Sequence, residues 1–205
     1  MMEAVIHGMV LAVGLILPLG AQNIFVFNQG ALQLRYKRAL PAIITAALCD
    51  TLLIFAAVGG VSLAVLSLNW LTPFIYGAGV VFLAVMGWKI LQGGRADERA
   101  VILPSKEQIA FALSVSLLNP HALMDTVGVI GTSSLQYGGT ERWAFAAAAA
   151  GVSWLWFMVL AAAGSVLGKA DPSGRLVRAL NIASAMLLWA MAGYMARQLW
   201  SLLAA

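Results

Sequence analysis

The chain has 205 residues, of which 62% are hydrophobic and only 10% charged, and its mean hydropathy is +0.91. Soluble domains carry roughly 25% charged residues, so this composition excludes a soluble globular protein and leaves no separate soluble domain. The net charge of +4 does not make a nucleic-acid surface, because the cations are scattered among the connections between long uncharged stretches.

The first uncharged stretch covers residues 4–34. Met1-Met2-Glu3 precedes it, so the basic leader of a secretory signal is missing, and the stretch is too long for a cleaved signal core. It reads as the first span. In residues 39–88 the only charged residue is Asp50, and the polar residues 67–73 supply a turn, which gives spans two and three. In residues 108–140 the only charged residue is Asp125, giving span four, and the bare stretches 143–168 and 179–195 give spans five and six. Each is near the ~20 residues that cross a hydrocarbon core of about 30 Å.

The loops carry a strong bias. Arg35, Lys37 and Arg38 follow span one, Lys89, Arg95, Arg99 and Lys106 follow span three, and Lys169, Arg175 and Arg178 follow span five. Ten of the twelve basic residues therefore fall on one side, against Arg142 and Arg197 on the other. By the positive-inside rule that side is cytoplasmic, and both termini are expected outside. The single cysteine, Cys49, permits no intrachain disulfide.

Two short polar interruptions sit inside the apolar segments. Leu17-Pro18-Leu19-Gly20-Ala21-Gln22-Asn23 breaks span one, and Asn119-Pro120-His121-Ala122-Leu123-Met124-Asp125 breaks span four. Proline removes a backbone donor and obstructs the carbonyl four residues earlier, and lipid cannot satisfy the groups so freed. Paired broken helices in the two halves of a chain point to a transporter's binding site. With Pro18 set on Pro120, Asn23 falls opposite Asp125. After one residue of slip, Asp50-Thr51 falls opposite Ser153-Trp154, and later Ala84-Val85-Met86-Gly87-Trp88 falls opposite Ala190-Met191-Ala192-Gly193-Tyr194. Three spans per repeat is an odd number, so the second repeat enters the membrane from the opposite side. The expected fold is an all-α integral membrane protein: six transmembrane helices form two inverted three-helix repeats, with helices one and four broken. Residues 1–205 make one transporter domain, in which repeat one is 1–91, the linker 92–108 and repeat two 109–205.

An aspartate at the centre of a span costs about 2.5–3.5 kcal/mol on insertion scales, so Asp50 and Asp125 call for a reason. An ion pair would supply one, but no Lys or Arg lies mid-span. Two carboxylates facing one low-dielectric site either share a proton or hold a cation between them. Both outcomes serve an antiporter, and the absence of a central cation favours a basic substrate over a neutral one. The breaks supply the remaining contacts. Pro18, Gly20, Gln22 and Asn23 in the first, and Asn119, Pro120, His121 and Thr126 in the second, are candidates for the α-carboxylate and α-amino groups, aided by the positive start of a half-helix. A plain kink with its amides bonded to neighbouring helices is the alternative. His121 could relay protons or simply donate to a freed carbonyl. A metal site of Asp50, Asp125, His121 and Cys49 has suitable ligand types without a spacing signature. The chain has no HExxH, Gly-x-Ser-x-Gly or Walker lysine, so neither an enzyme nor an ATP-driven pump is expected, and no cofactor or bound metal either.

Leu17-Pro18-Leu19-Gly20-Ala21-Gln22-Asn23 followed by Phe25-Val26-Phe27-Asn28-Gln29-Gly30, together with Leu118 to Thr126, resembles the LysE superfamily of bacterial amino-acid exporters, particularly its lysine and arginine exporter branch. The resemblance covers essentially the whole chain. It implies a small exporter of the bacterial inner membrane driven by the membrane potential or the proton gradient, with the family's aspartate pair on Asp50 and Asp125. The implied partners are a basic amino acid, protons and the lipid bilayer, with a second copy of the chain compatible and nucleic acid excluded. Other branches export neutral amino acids and some relatives handle cadmium, so these stay open, as does a passive channel. The family has also been drawn with five spans and a cytoplasmic N-terminus. Six segments of sufficient length favour six.

Overall fold

Lipid offers no partner to a backbone N–H or C=O, so a spanning chain of this length must bond its backbone internally, as helix. The computed structural model describes residues 1–17, 20–33, 35–60, 71–93, 103–117, 126–170 and 175–204, and every regular element among them is helical. Helix α1 is Met2–Ile16 and α2 is Ala21–Leu32; a 3-10 turn, Tyr36–Ala39, leads into α3, Leu40–Val58. Then come α4, Leu71–Gly93, and α5, Ser105–Leu117. A π-helical turn, Thr126–Gly131, runs into the single turn α6, Thr132–Ser134, before α7, Gly139–Ala170, and α8, Arg175–Leu203.

Local chemistry sets several of these boundaries. Pro41 sits in the first turn of α3, where a missing N–H leaves no helical bond unmade. Gly60, just past α3, and Gly139, at the start of α7, have φ of +82° and +50°, a conformation that costs glycine little. Gly20 caps α2 in an extended conformation, so the chain leaves the α1 direction there, and the two helix axes differ by 80°.

Helix α7 is the central post. Helices α1, α2 and α3 all pack on it; α3 also receives α5 and the π-helical turn, while α4 and α8 pair with each other. At one end the Met1 amine pairs with Glu141, and Gly8 backs onto the Phe145 carbonyl. At the other, Gly30 lies on the backbone of Ala161 and Gly168 on that of Ala31. Residues 141 to 168 cover about 40 Å of helix at 1.5 Å per residue, so the α1–α2 pair travels more than the ~30 Å of a hydrocarbon core. That length fits a broken span.

The residues Tyr36–Val58 and Gly139–Ala170 are each long and apolar enough to cross a membrane, and the α1–α2 pair makes a third such segment when taken as one span. Helices α4 and α8, with 23 and 29 residues, have the length as well. The expected break in span four falls between the end of α5 and the π-helical turn; residues 118–125 lie outside the described residues, as do most of the turn at 67–73 and of the 92–108 linker. Single cysteines introduced as Met2→Cys and Lys37→Cys, in a Cys49→Ser background, are expected to react from opposite faces of the membrane. Labelling of both from one face would overturn the crossing.

Candidate functional site

Asp50 lies near the middle of α3 and is half-buried. The first turn of α2 and the middle of α7 close around it. Gln22 donates from Nε2 to Asp50 Oδ1 at 3.0 Å and approaches the Ala46 carbonyl at 3.4 Å. The Ser153 side chain, from α7, lies beside the carboxylate. Among the described residues the only ion pair is the one between the Met1 amine and Glu141. Asp50 is therefore compensated by the neutral Gln22 donor and has no counter-charge there.

The depth of this group follows from its partner. Ser153 lies roughly 18 Å along α7 from Glu141 and roughly 22 Å from Gly168, so the carboxylate sits near the midpoint of the crossing. A charge at that depth is expensive unless a specific partner offsets it.

Gln22 reaches Asp50 because of the break. Once α1 stops, the chain turns and restarts as α2, whose first N–H groups have no acceptor within the helix. The break itself is held by Asn23. Its Nδ2 donates to the Ile16 carbonyl at 2.7 Å, a group left over where α1 ends, and its Oδ1 accepts from Trp156 Nε1 at 3.2 Å. A parallel tie runs beside Asp50: Trp154 Nε1 donates to Thr51 Oγ1 at 3.1 Å, and that hydroxyl donates to the Ala47 carbonyl at 2.7 Å. Trp156, Ser153 and Trp154 of α7 thus brace α2, line the carboxylate and brace α3 in turn.

Of the candidates from sequence, Gln22 and Asp50 are in direct contact, Gln22 and Asn23 are 8% and 5% exposed, and half-buried Gly20 caps the helix that carries them. Thr126 opens the π-helical turn that packs on α3. Pro18, Asn119, Pro120, His121 and Asp125 lie outside the described residues. Cys49 is buried next to Asp50, and no group of three or more metal-ligating side chains occurs among the described residues; two of the four proposed metal ligands, His121 and Asp125, are outside that set. Sequence reasoning did not select Ser153, Trp154 or Trp156. One signal was available for Ser153, which aligns with Asp50 in the internal repeat.

Comparison with known proteins adds to this geometry. The family model for the LysE type translocator matches residues 13–199. A protein of Bacillus subtilis (strain 168) named "Putative amino-acid transporter YisU" is 54% identical over 196 residues, covering 94% of this chain and 89% of its own length. The arginine exporter protein ArgO of Pectobacterium carotovorum subsp. carotovorum (strain PC1) is 33% identical, covering 98% of this chain and 100% of itself. The arginine exporter protein ArgO of Salmonella paratyphi A (strain ATCC 9150 / SARB42) is 34% identical, over 94% of this chain and 92% of itself. No solved structure matches the chain.

Proposed function

We propose that this chain, which belongs to the LysE type translocator family, is a proton-coupled exporter of arginine or lysine in the bacterial inner membrane. The observation that carries the reading is Asp50: a half-buried carboxylate near the middle of α3 that accepts from Gln22 and has no cation paired with it among the described residues. A guanidinium or ammonium group supplies the missing charge, and a proton replaces it when the substrate leaves. The arginine exporters at 33% and 34% identity support this substrate class.

The roles divide by chemistry. Asp50, with Asp125 as its counterpart in the second half, takes the cationic group and the proton. Gln22 spends its N–H on Asp50 and offers its carbonyl oxygen to the substrate's amino group. The start of α2 at Gly20, and the second break at Asn119, Pro120, His121 and Thr126, receive the α-carboxylate, where free N–H groups and the helix dipole favour an anion. Asn23 and Pro18 hold the first break open.

Packing supports two inverted repeats. The α1–α2 pair lies on α7 as α5 and the π-helical turn lie on α3, and α4 pairs with α8. Exchanging the halves leaves this pattern unchanged. Residues aligned by the internal repeat also touch: Asp50 with Ser153, and Thr51 with Trp154. A two-fold axis passing between α3 and α7 brings equivalent residues together in this way. On this reading α4 and α8 complete six spans, with both termini outside.

Counterflow in proteoliposomes tests the function. Labelled arginine or lysine should exchange saturably and outcompete leucine and threonine, and Gln22→Ala should weaken apparent affinity about tenfold, the effect of removing one charge-assisted contact. Unsaturable conductance, or preference for the neutral amino acids or cadmium, would reject the reading.

A further inference from the structure

The polar residues of α2 do not stop at Gln22. Gln29, in the same helix, and Gln33, just past its end, follow at intervals of seven and four, which sets the three on one face. All three are buried, and Phe25 and Val26 interrupt that face. From Gln22 to Gln33 is about 16 Å of helix. The stripe therefore leads from the Asp50 site to the face of the basic connections, where Arg35, Lys37 and Arg38 follow.

Helix α5 lies along this stripe, antiparallel to α2. Ala21 and Val115 belong to one buried cluster, Phe25 stacks on Phe111 with ring centroids 4.0 Å apart, and Gln33 Nε2 donates to the Leu103 carbonyl at 3.2 Å. Gln108, one turn from Phe111, is therefore level with the Gln29–Gln33 end. Its Nε2 donates to the Leu103 carbonyl at 2.8 Å and to the Arg38 carbonyl at 3.0 Å. Both hydrogens are then used, and the carboxamide's orientation is fixed, because turned over its oxygen would meet two carbonyl oxygens. Gln108 is 1% exposed, and its Oε1 has no hydrogen-bond partner among the described residues. A buried acceptor without a donor is costly, and what this one can still take is an N–H. An ammonium or guanidinium group supplies an N–H that carries charge, which makes the stronger bond.

Between this acceptor and Asp50 stands the Phe25–Phe111 pair. The rings lie nearly parallel, at 17°, and Phe82 of α4 meets Phe111 edge-on with centroids 6.1 Å apart. A cation cannot pass along the stripe while the rings are in contact, yet separating them breaks no backbone hydrogen bond. Helix α2 is fixed to α7 by close backbone crossings at Gly30, Gly164 and Gly168, whereas the Phe25–Phe111 stack joins it to α5, and Phe111 is only half-buried. The α5 side is therefore the wall that can give. Ring faces also attract a cation that comes between them, so the pair can hand the group on to Asp50.

We propose that the seam between α2 and α5 is the substrate's route from the face of the basic connections to Asp50, with Gln108 binding its cationic group and Phe25–Phe111 as the gate between them. This rests on the export reading above. Native Cys49 reports on the gate, because it is buried on α3 next to Asp50 and beside Ser116, past Phe111 on the Asp50 side. The probe is a membrane-impermeant trimethylammonium methanethiosulfonate applied to oriented proteoliposomes of the full chain. From the face of the basic connections it should label Cys49 about tenfold faster in Phe111→Ala than in the wild type, the effect of losing one aromatic contact. From the other face it should be no faster. Phe111→Leu, which keeps most of the volume without the ring, should shift the rate in the same direction and serves where a melting curve shows the alanine variant unfolded. Acceleration from both faces, or from neither, would overturn the gate. Gln108→Leu should raise the half-saturating arginine concentration on the basic face about tenfold, as for one lost charge-assisted bond, and leave that on the opposite face unchanged. A loss of packing alone would shift both, and an acceptor that holds only water would shift neither; either result overturns the binding role. Arginine exchange without gate-dependent labelling rejects the route alone. Face-specific labelling without exchange of arginine or lysine rejects the export reading alone.

Discussion

Asp50→Asn is expected to lower saturable arginine or lysine counterflow at least tenfold while leaving the protein folded. The substituted side chain is isosteric, and its oxygen can still accept from Gln22 Nε2, which now stands at 3.0 Å from the carboxylate. What disappears is the charge. A hydrogen bond to a charged group contributes about 1.5–3 kcal/mol net, against roughly 1 kcal/mol for a neutral one. At 1.4 kcal/mol per factor of ten, losing one or two charge-assisted contacts weakens binding roughly tenfold to a few hundredfold. Proton exchange at this position also ends, because a carboxamide does not titrate at working pH, so any dependence of turnover on the proton gradient that passes through Asp50 should go with it. The measurement is counterflow at several substrate concentrations, with a melting curve in detergent alongside. Wild-type flux in Asp50→Asn would remove the carboxylate from the mechanism; lost flux with an unchanged melting curve is the expected result.

Cost made these features legible in the sequence. A charge at mid-span and a proline-glycine break in hydrocarbon are each unfavourable unless something compensates, so Asp50 and the segment around Gly20, Gln22 and Asn23 stand out from an apolar background. Their contact was not legible: it depends on the 80° change of direction between α1 and α2, which brings Gln22 back onto α3. Ser153, Trp154 and Trp156 were hidden for the opposite reason. A serine and two tryptophans cost little in a long apolar helix, and nothing local indicates that one reaches a carboxylate while the others brace α3 and α2. The repeat alignment put Ser153 opposite Asp50, but that becomes a contact only if an axis passes between α3 and α7.

Gly164→Ala is expected to impair both stability and transport, and Gly151→Ala, the same change on the same helix, neither. A Cβ on Gly164 would fall on the Phe27 carbonyl oxygen, with Ala31 N at 3.0 Å and the Phe27 carbonyl carbon at 3.1 Å. These are backbone atoms of α2, so no side-chain rotation relieves the overlap, and the helices must separate. Gly30 and Gly168 meet the same limit against Ala161 and Ala31. In lipid such close crossings provide the van der Waals contact that holds helices together, and overpacking them costs about 1–3 kcal/mol. Gly151 meets no atom within 4 Å, so alanine there brings only its helix preference, worth up to about 1 kcal/mol in its favour. The two variants should therefore move the melting temperature in opposite directions or leave Gly151→Ala unchanged. Transport follows from the same displacement: moving α2 outward by about 1 Å would stretch the Gln22–Asp50 and Trp156–Asn23 bonds beyond hydrogen-bonding range. Counterflow in Gly164→Ala should fall about tenfold or more, because the residues that orient the carboxylate travel with α2. Equal stability and equal flux in the two alanine variants would mean that α2 and α7 do not cross at backbone contact, and the geometry of the Asp50 site would have to be redrawn.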